Sequence, residues 1–319
     1  MQHMLSGKNV LVTGGAGLVG GHVVEKLLSL GARVFVLDIE VKPGSYFETE
    51  KFSEKCEVVI QDVRDVPKLK SLAEKNGISY IFHLAAQALV PIAFMDPLTT
   101  LDTNVMGTVS VLEVARENPK IKAVVVASSD KAYGKDCKDA FEDQALRGDH
   151  PYDVSKSAAD LICTAYFKTY GIPVVVSRFA NIFGPGDMNF DRIVPGAMQA
   201  IIKKETLQIR SDGKFVRDYL YAKDVAEGYV MLAEKIDTVK GEAFNFSAGH
   251  NYSVIDLVKK IGEILKTDIN FEILNSQKNE IPFQSLNFEK AWQTLGWKAV
   301  YQLEDAIKET YGWYKANIN

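Results

Sequence analysis

A tyrosine and a lysine four residues apart, Tyr152 and Lys156, open a helix-patterned stretch directly after Pro151. At that spacing the phenol and the ammonium share one helix face, where the cation favours the phenolate. Bringing a tyrosine from a pKa of ~10 down to ~7 takes about 4 kcal/mol of preference for the charged form. A lysine ~4 Å away at an effective dielectric of ~20 supplies about that much, so the pair can act as a base near neutral pH. A polar run, Ser128-Ser129-Asp130-Lys131, ends a preceding apolar strand and adds a hydroxyl, an acid and a second amine. The same tyrosine-lysine spacing recurs twice. Tyr219/Lys223 lies in a mixed apolar and polar stretch that suits a surface or substrate loop. Tyr311/Lys315 lies on an amphipathic helix as a core aromatic with a solvated lysine.

The elements that must position these groups begin near the amino terminus. The segment from Val10 to Gly20 is an apolar strand followed by a glycine-rich turn that opens a helix, in the registers Gly15-x-Gly17-x-x-Gly20 and Gly14-x-x-Gly17-x-x-Gly20. Glycines there permit a tight turn and close approach to a pyrophosphate, and the helix N-terminus offers N–H groups and partial positive charge. A second apolar segment from Arg33 ends in Asp38, which can accept hydrogen bonds from an adenosine ribose and would repel the extra phosphate of NADP. The first half of the chain alternates strand and helix patterns, the rhythm of a parallel sheet covered on both faces. Strands are expected at Asn9–Thr13, Arg33–Leu37, Glu57–Gln61, Tyr80–Leu84, Ala123–Ser128 and Pro173–Ser177. Two long stretches, Pro97–Glu117 and Tyr152–Tyr170, are apolar on more than one side, as core helices or as the seam of a homodimer. After Ser177 the rhythm breaks into a loop rich in Gly, Pro and Asp, a place where parallel sheets bind ligands.

Composition bounds the function classes. The 319 residues carry a net charge of −4 with 47% hydrophobic and 24% charged residues, ordinary for a globular protein and without a basic tail or stripe for nucleic acid or anionic membrane. No apolar stretch is long enough to span a bilayer, and the first eight residues lack a signal-peptide core, so the cytoplasm is the expected location. Cys56, Cys137 and Cys163 are scattered, and His3, His22, His83, His150 and His250 show no metal-ligand spacing; no metal is expected.

Taken together, the motifs resemble the extended short-chain dehydrogenase/reductases that act on nucleotide sugars, the NAD-dependent epimerases and dehydratases. The resemblance runs through Thr13–Gly20, Asp62-Val63, His83–Gln87, Asn104, Ser129 with Tyr133-Gly134, Tyr152/Lys156, Asn181–Gly186, Arg217-Asp218 and Leu295-Gly-Trp297. It implies an α/β fold, a Rossmann-type doubly wound parallel sheet over 1–180 with 219–247 returning to it, and a smaller C-terminal substrate-binding cap of 181–218 and 248–319. It implies NAD, held by Gly14, Gly17, Leu18, Val19, Gly20, Asp38, Asp62, Val63, Leu84, Ala85, Ala86, Asn104, Tyr152 and Lys156. A nucleotide-diphosphate sugar would meet Gln87, Asn181, Arg192, Arg217 and Glu280, the two arginines clasping the diphosphate.

Within that family, 4-epimerases usually carry small or apolar residues after the serine, whereas 4,6-dehydratases carry Asp-Glu or Asp-Lys. Ser129-Asp130-Lys131 is similar to the latter, notably to CDP-glucose 4,6-dehydratases. The implied chemistry assigns catalysis to Ser129, Asp130, Lys131, Tyr152 and Lys156. Once carbon 4 is a ketone, the carbon 5 proton is acidic and the carbon 6 hydroxyl becomes a leaving group; Asp130 would protonate it, and Lys131 would act as base or steady the enolate. Two other readings stand beside this one: a nucleotide-sugar 4-epimerase, and a dinucleotide-sensing protein that binds partners through its apolar helices.

Overall fold

Runs of β-branched and aromatic residues form the central strands, and their alternation decides which side chain faces which layer of helices. The structure, a computed structural model, describes residues 3–135, 137–276 and 281–318. The strands are β1 Asn9–Thr13, β2 Arg33–Asp38, β3 Glu57–Ile60, β4 Tyr80–His83, β5 Ala123–Ala127, β6 Val174–Phe179, β7 Asn181–Phe183, β8 Leu207–Ile209, β9 Val216–Tyr221, β10 Ala243–Phe246, β11 Asn251–Ser253, β12 Phe271–Ile273 and β13 Phe283–Gln284. The helices are α1 Leu18–Ser29, α2 Tyr46–Thr49, α3 Val66–Lys75, α4 Val90–Met95, α5 Pro97–Leu101, α6 Gly107–Glu117, α7 Pro151–Tyr170, α8 Ile193–Lys203, α9 Ala222–Glu234, α10 Ile236–Val239, α11 Val254–Leu265, α12 Glu289–Leu295 and α13 Leu303–Asn317.

Seven strands form one parallel sheet in the order β10-β6-β5-β4-β1-β2-β3. Val10, Val12, Val34 and Val36 face one layer with α1 and α9, while Leu11, Phe35 and Leu37 face the other with α3, α6 and α7. Removing these side chains from water stabilises the fold by about 1.5–3 kcal/mol each. The register sets the site: Thr13 lies level with Leu37 and His83, His83 with Val126, and Ala127 with Ser177. The turns after β1, β2, β4 and β5 therefore leave the sheet along one edge. Strand order reverses beside β1, the crevice where doubly wound sheets bind ligands.

A smaller lobe is built on β9, which pairs with β7 and β13 in parallel and with β11 antiparallel. Tyr219 and Tyr221 on β9 pack with Met198, Leu257, Ile307 and Tyr314 of α8, α11 and α13, whereas Leu220 between them packs into the large core. β9 is thus the seam between lobes.

Two expectations change. The helix foreseen over Pro97–Glu117 is interrupted by one π-helical turn, Asp102–Met106, between α5 and α6. That wider turn turns Asn104 inward and brings Gly107 so close to Val63 that an added Cβ would lie 2.8 Å from its Cγ1. The stretch holding Leu286, Ala291, Leu295 and Trp297, expected in the cap, packs into the large core instead, with the Trp297 ring 4.9 Å from Phe246 and its indole N–H donating to the Asp224 carbonyl. A fully apolar indole face is worth more against β10 and α9 than at the rim of the small lobe.

Candidate active site

At the carboxyl end of β1, Gly14 has φ +70°, and a Cβ there would stand 2.6 Å from the Ala85 nitrogen. A Cβ on Gly20 would stand 2.1 Å from the Gly14 carbonyl oxygen. Only glycine fits either place. Gly17 caps α1 without a side chain, so Leu18, Val19 and Gly20 begin the helix with their N–H ends open to an anion. The Leu84–Ala86 turn after β4 lies against this loop, Leu84 donating to the Thr13 carbonyl. Asp38 sits at the tip of β2 and takes hydrogen bonds from the Ala16 and Ile39 backbone; burial nevertheless raises its pKa. At the end of β3, Asp62 is clasped by Arg64, which holds it below the usual carboxylate range and also reaches Asp102 of the π-helical turn. Val63 is buried beside Gly107.

These features fit a dinucleotide: a cradle that a Cβ would fill, a helix start aimed at it, and an acid at the ribose position. His83, expected as a helper, is buried between the Thr13 and Thr108 hydroxyls, and burial pushes its pKa down to about 3, so it is a neutral spacer. Asn104 gives its carbonyl to the Gln87 N–H and its amide to the Gln87 carbonyl and the Ser155 hydroxyl. In the structure it ties the β4 turn to α7. Gln87 spends its own amide on the Leu89 backbone.

α7 begins with Pro151 in its first turn and the His150 ring as cap, which presents Tyr152 one residue into the helix. Ser129 caps a short 3₁₀ turn over Asp130–Tyr133, its hydroxyl accepting from the Lys131 N–H. That hydroxyl donates to Asp130 Oδ1 at 2.9 Å and neighbours the Tyr152 hydroxyl. Lys131 Nζ reaches both Asp130 Oδ1 and Asn181 Oδ1, each at 3.3 Å. Ser129, Asp130, Lys131, Tyr152 and Asn181 thus come together from β5, α7 and β7.

The tuning of Tyr152 differs from expectation. Burial, then the charge of Asp130, pushes its pKa up to about 12, while Arg192 and Ser129 pull it down. Lys156 donates to the Ala127 carbonyl at 2.8 Å, and burial lowers its pKa to about 8. Helical spacing put the two side chains on one face, but the long lysine finds a backbone acceptor at the end of β5 before it finds the phenol. Arg192 is paired with Asp187 at 3.3 Å. Arg217 lies on β9, with its guanidinium donating to the Val216 carbonyl. Glu280 lies outside the described residues.

Sequence reasoning missed the frame behind the turn. Arg178 makes a bidentate pair with Asp160 at 2.7 and 2.9 Å and donates to the Tyr133 hydroxyl, which in turn donates to Asn245. An arginine inside the apolar strand β6 was the available signal, since a buried charge must be paired. Asp153 was also missed; it is buried beside Tyr152, and burial raises its pKa to about 6.

A glycine cradle on a doubly wound sheet beside a serine, tyrosine and lysine defines a dinucleotide-dependent enzyme. The chain belongs to the NAD dependent epimerase/dehydratase family, whose pattern matches residues 10–247. It is 30% identical to a CDP-glucose 4,6-dehydratase of Salmonella typhimurium, over 98% of this chain and 92% of that one. A dTDP-glucose 4,6-dehydratase of Bacillus anthracis in complex with NAD superposes with a TM-score of 0.86 at 27% identity, covering 98% and 97% of the two chains. A UDP-glucose 4-epimerase of Thermotoga maritima with UDP-glucose gives 0.88 at 27% identity, covering 98% and 100%. The chain spans about half the length of a trifunctional plant relative from Arabidopsis thaliana, a UDP-glucose 4,6-dehydratase with two further activities, at 28% identity (97% of this chain, 47% of that one). The cofactor is NAD. Among the described residues no helix is long and apolar enough to cross a membrane.

Proposed function

We propose that this protein is an NAD-dependent nucleotide-sugar 4,6-dehydratase, a lyase that yields an NDP-4-keto-6-deoxyhexose. One observation carries the reading: the Ser129 hydroxyl stands between Tyr152 and Asp130, with Lys131 on the same carboxylate. An acid and an amine one step from the tyrosine suit loss of water, whereas turning a sugar over needs neither. NAD, when bound, accepts a hydride from the sugar and returns it.

Tyr152 takes the proton of the carbon 4 hydroxyl while Ser129 holds that oxygen. Lys131 takes the carbon 5 proton and later gives it back. Asp130 gives a proton to the carbon 6 oxygen, which leaves as water. The hydride lost from carbon 4 ends on carbon 6, carbon 5 regains a proton, and the proton held by Tyr152 restores the one spent by Asp130. The sugar has then lost one water and the enzyme is back at its start. Lys156 and the glycine cradle hold the cofactor, and Gln87, Asn181, Arg192, Arg217 and Glu280 are the proposed substrate contacts.

The test is mass spectrometry of CDP-, dTDP-, GDP- and UDP-hexoses incubated separately with protein and NAD. Loss of one water from one substrate supports the dehydratase and names the nucleotide. Unchanged mass with a new isomer on chromatography would replace it with the 4-epimerase reading, which the likeness to the Thermotoga maritima enzyme favours. A homodimer belongs to the same proposal: Phe94, Met95, Leu98 and Leu161 are exposed on α4, α5 and α7, a patch suited to a second copy.

A further inference from the structure

No proline or glycine stands between Leu98 and Met106, so nothing in that stretch of sequence forces the π-helical turn Asp102–Met106. Such a turn is rarer than the α-helix it interrupts, and tertiary contacts must hold it. From inside, the Thr108 hydroxyl donates to the Asn104 carbonyl at 2.7 Å and stands 3.2 Å from the His83 ring. From outside, Arg64 grips both oxygens of Asp62 through Nε and Nη2, at 2.9 and 2.5 Å. That leaves Nη1 to pair with Asp102, the first residue of the turn. The turn in turn holds the site. Asn104 accepts from the Gln87 N–H at 2.7 Å and donates to the Ser155 hydroxyl at 2.8 Å, and Ser155 donates onward to the Tyr152 carbonyl at 2.6 Å. Asn104 and Ser155 are buried, so water does not replace these bonds once they open.

We propose that Arg64 and Asp102 are positioning residues: their ion pair holds the helix in its π register and, through Asn104 and Ser155, fixes the first turn of α7, on which Tyr152 stands. The alternative state is an unbroken α-helix. Residues on one side of the bulge would then turn by about 100° against those on the other, which withdraws Asn104 from Gln87 and Ser155. Val111, Leu112 and Val114 lock α6 into the core, so the α5 side is the part that turns. Asp102 opens the bulge on that side, where a tether has the most leverage. All three charged side chains are partly exposed, and such pairs contribute little to overall stability. The consequence of this one is a choice between two helical registers. Asp62 is also expected to hold NAD, so the tether joins the cofactor end of the sheet to the helix of the proposed base.

This inference rests on Tyr152 as the base of the proposed reaction, so its first test needs no sugar. In hydrogen exchange of the NAD-loaded protein, Arg64→Met should speed the amides of 85–89 and 154–158 by about tenfold or more and leave those of β5 and β6 as they were. The reversed pair, Arg64→Asp with Asp102→Arg, should restore the protection. Should Arg64→Met fail to fold, Asp102→Asn, which keeps the grip of Arg64 on Asp62, gives the same reading. Faster exchange confined to 62–66 and 97–107, or spread evenly over the sheet, overturns the proposal, as does a loss that the reversed pair leaves in place. The second test is turnover of the substrate found by mass spectrometry. Arg64→Met should lower kcat about 10- to 100-fold with KM and NAD content unchanged, and the reversed pair should recover most of it. Parental kcat in a variant whose α7 amides have loosened also overturns it. A protein with the expected exchange pattern that turns over none of the four hexoses would sink the proposed function and leave the tether standing.

Discussion

The cofactor side and the sugar side of this site are built by opposite means. Around NAD, the work is done by missing side chains and backbone: Gly14, Gly17 and Gly20 leave room, Asp38 is held by two N–H groups, and His83 has both ring nitrogens engaged. On the side proposed for the sugar, long polar side chains come from distant elements, and buried atoms there, among them Ser128 Oγ, Asn181 Nδ2 and both Asp218 oxygens, have no partner of ordinary geometry. A cofactor kept through every cycle can be met by a rigid, self-satisfied cradle. A substrate that must leave can be met by groups whose bonding is completed only in the complex.

The strongest way to break that contrast is Tyr152→Phe. Turnover should fall about 1000-fold while NAD stays bound, measured by single-turnover product analysis and by release of NAD on denaturation; joint loss of NAD would make Tyr152 part of the cradle. On the other side, Gly20→Ala drives a Cβ into the Gly14 carbonyl. It should cost about 3 kcal/mol or more of stability together with NAD binding, read by denaturant titration with and without NAD. Arg178→Met tests the frame behind both sides. It leaves Asp160 buried without its partner, at a cost of about 3–5 kcal/mol, and should loosen the Asp130–Tyr133 turn more than the glycine turn in hydrogen exchange.

Asp218 adds a pH signature of its own on the opposite side. Its folded pKa of about 7 lies above the ordinary carboxylate value, so its contribution is complete below about pH 4 and is lost progressively as pH rises from there to 7. Relative to the parent, Asp218→Asn should be nearly neutral in stability at pH 3 and gain on the order of 4 kcal/mol at pH 9, read as denaturation midpoints at the two pH values. The smallest effect is expected from Arg192→Gln, which removes the cation that eases Tyr152 and one proposed substrate contact. Turnover should fall about tenfold with the NAD content unchanged; equal losses of both would erase the distinction between the two sides.

What the sequence determined by itself is the part that is local. β1, the glycine turn and α1 are consecutive, so spacing alone sets their geometry, and the apolar alternation of β1 through β6 decides the sheet because side chains two apart must share a face. The register then follows from burying both faces, which brings Asp38, Leu84 and Ser129 to one edge. Helical spacing also marked Tyr152 and Lys156 as neighbours, yet only the fold showed that Lys156 turns to the Ala127 carbonyl. Tertiary structure alone decided the π-helical turn at Asn104, the packing of Trp297 against Phe246, the Arg178–Asp160 pair and the burial of Asp218. Each depends on burial, which changes the energy of a polar or charged group by several kcal/mol and leaves no mark in residue spacing.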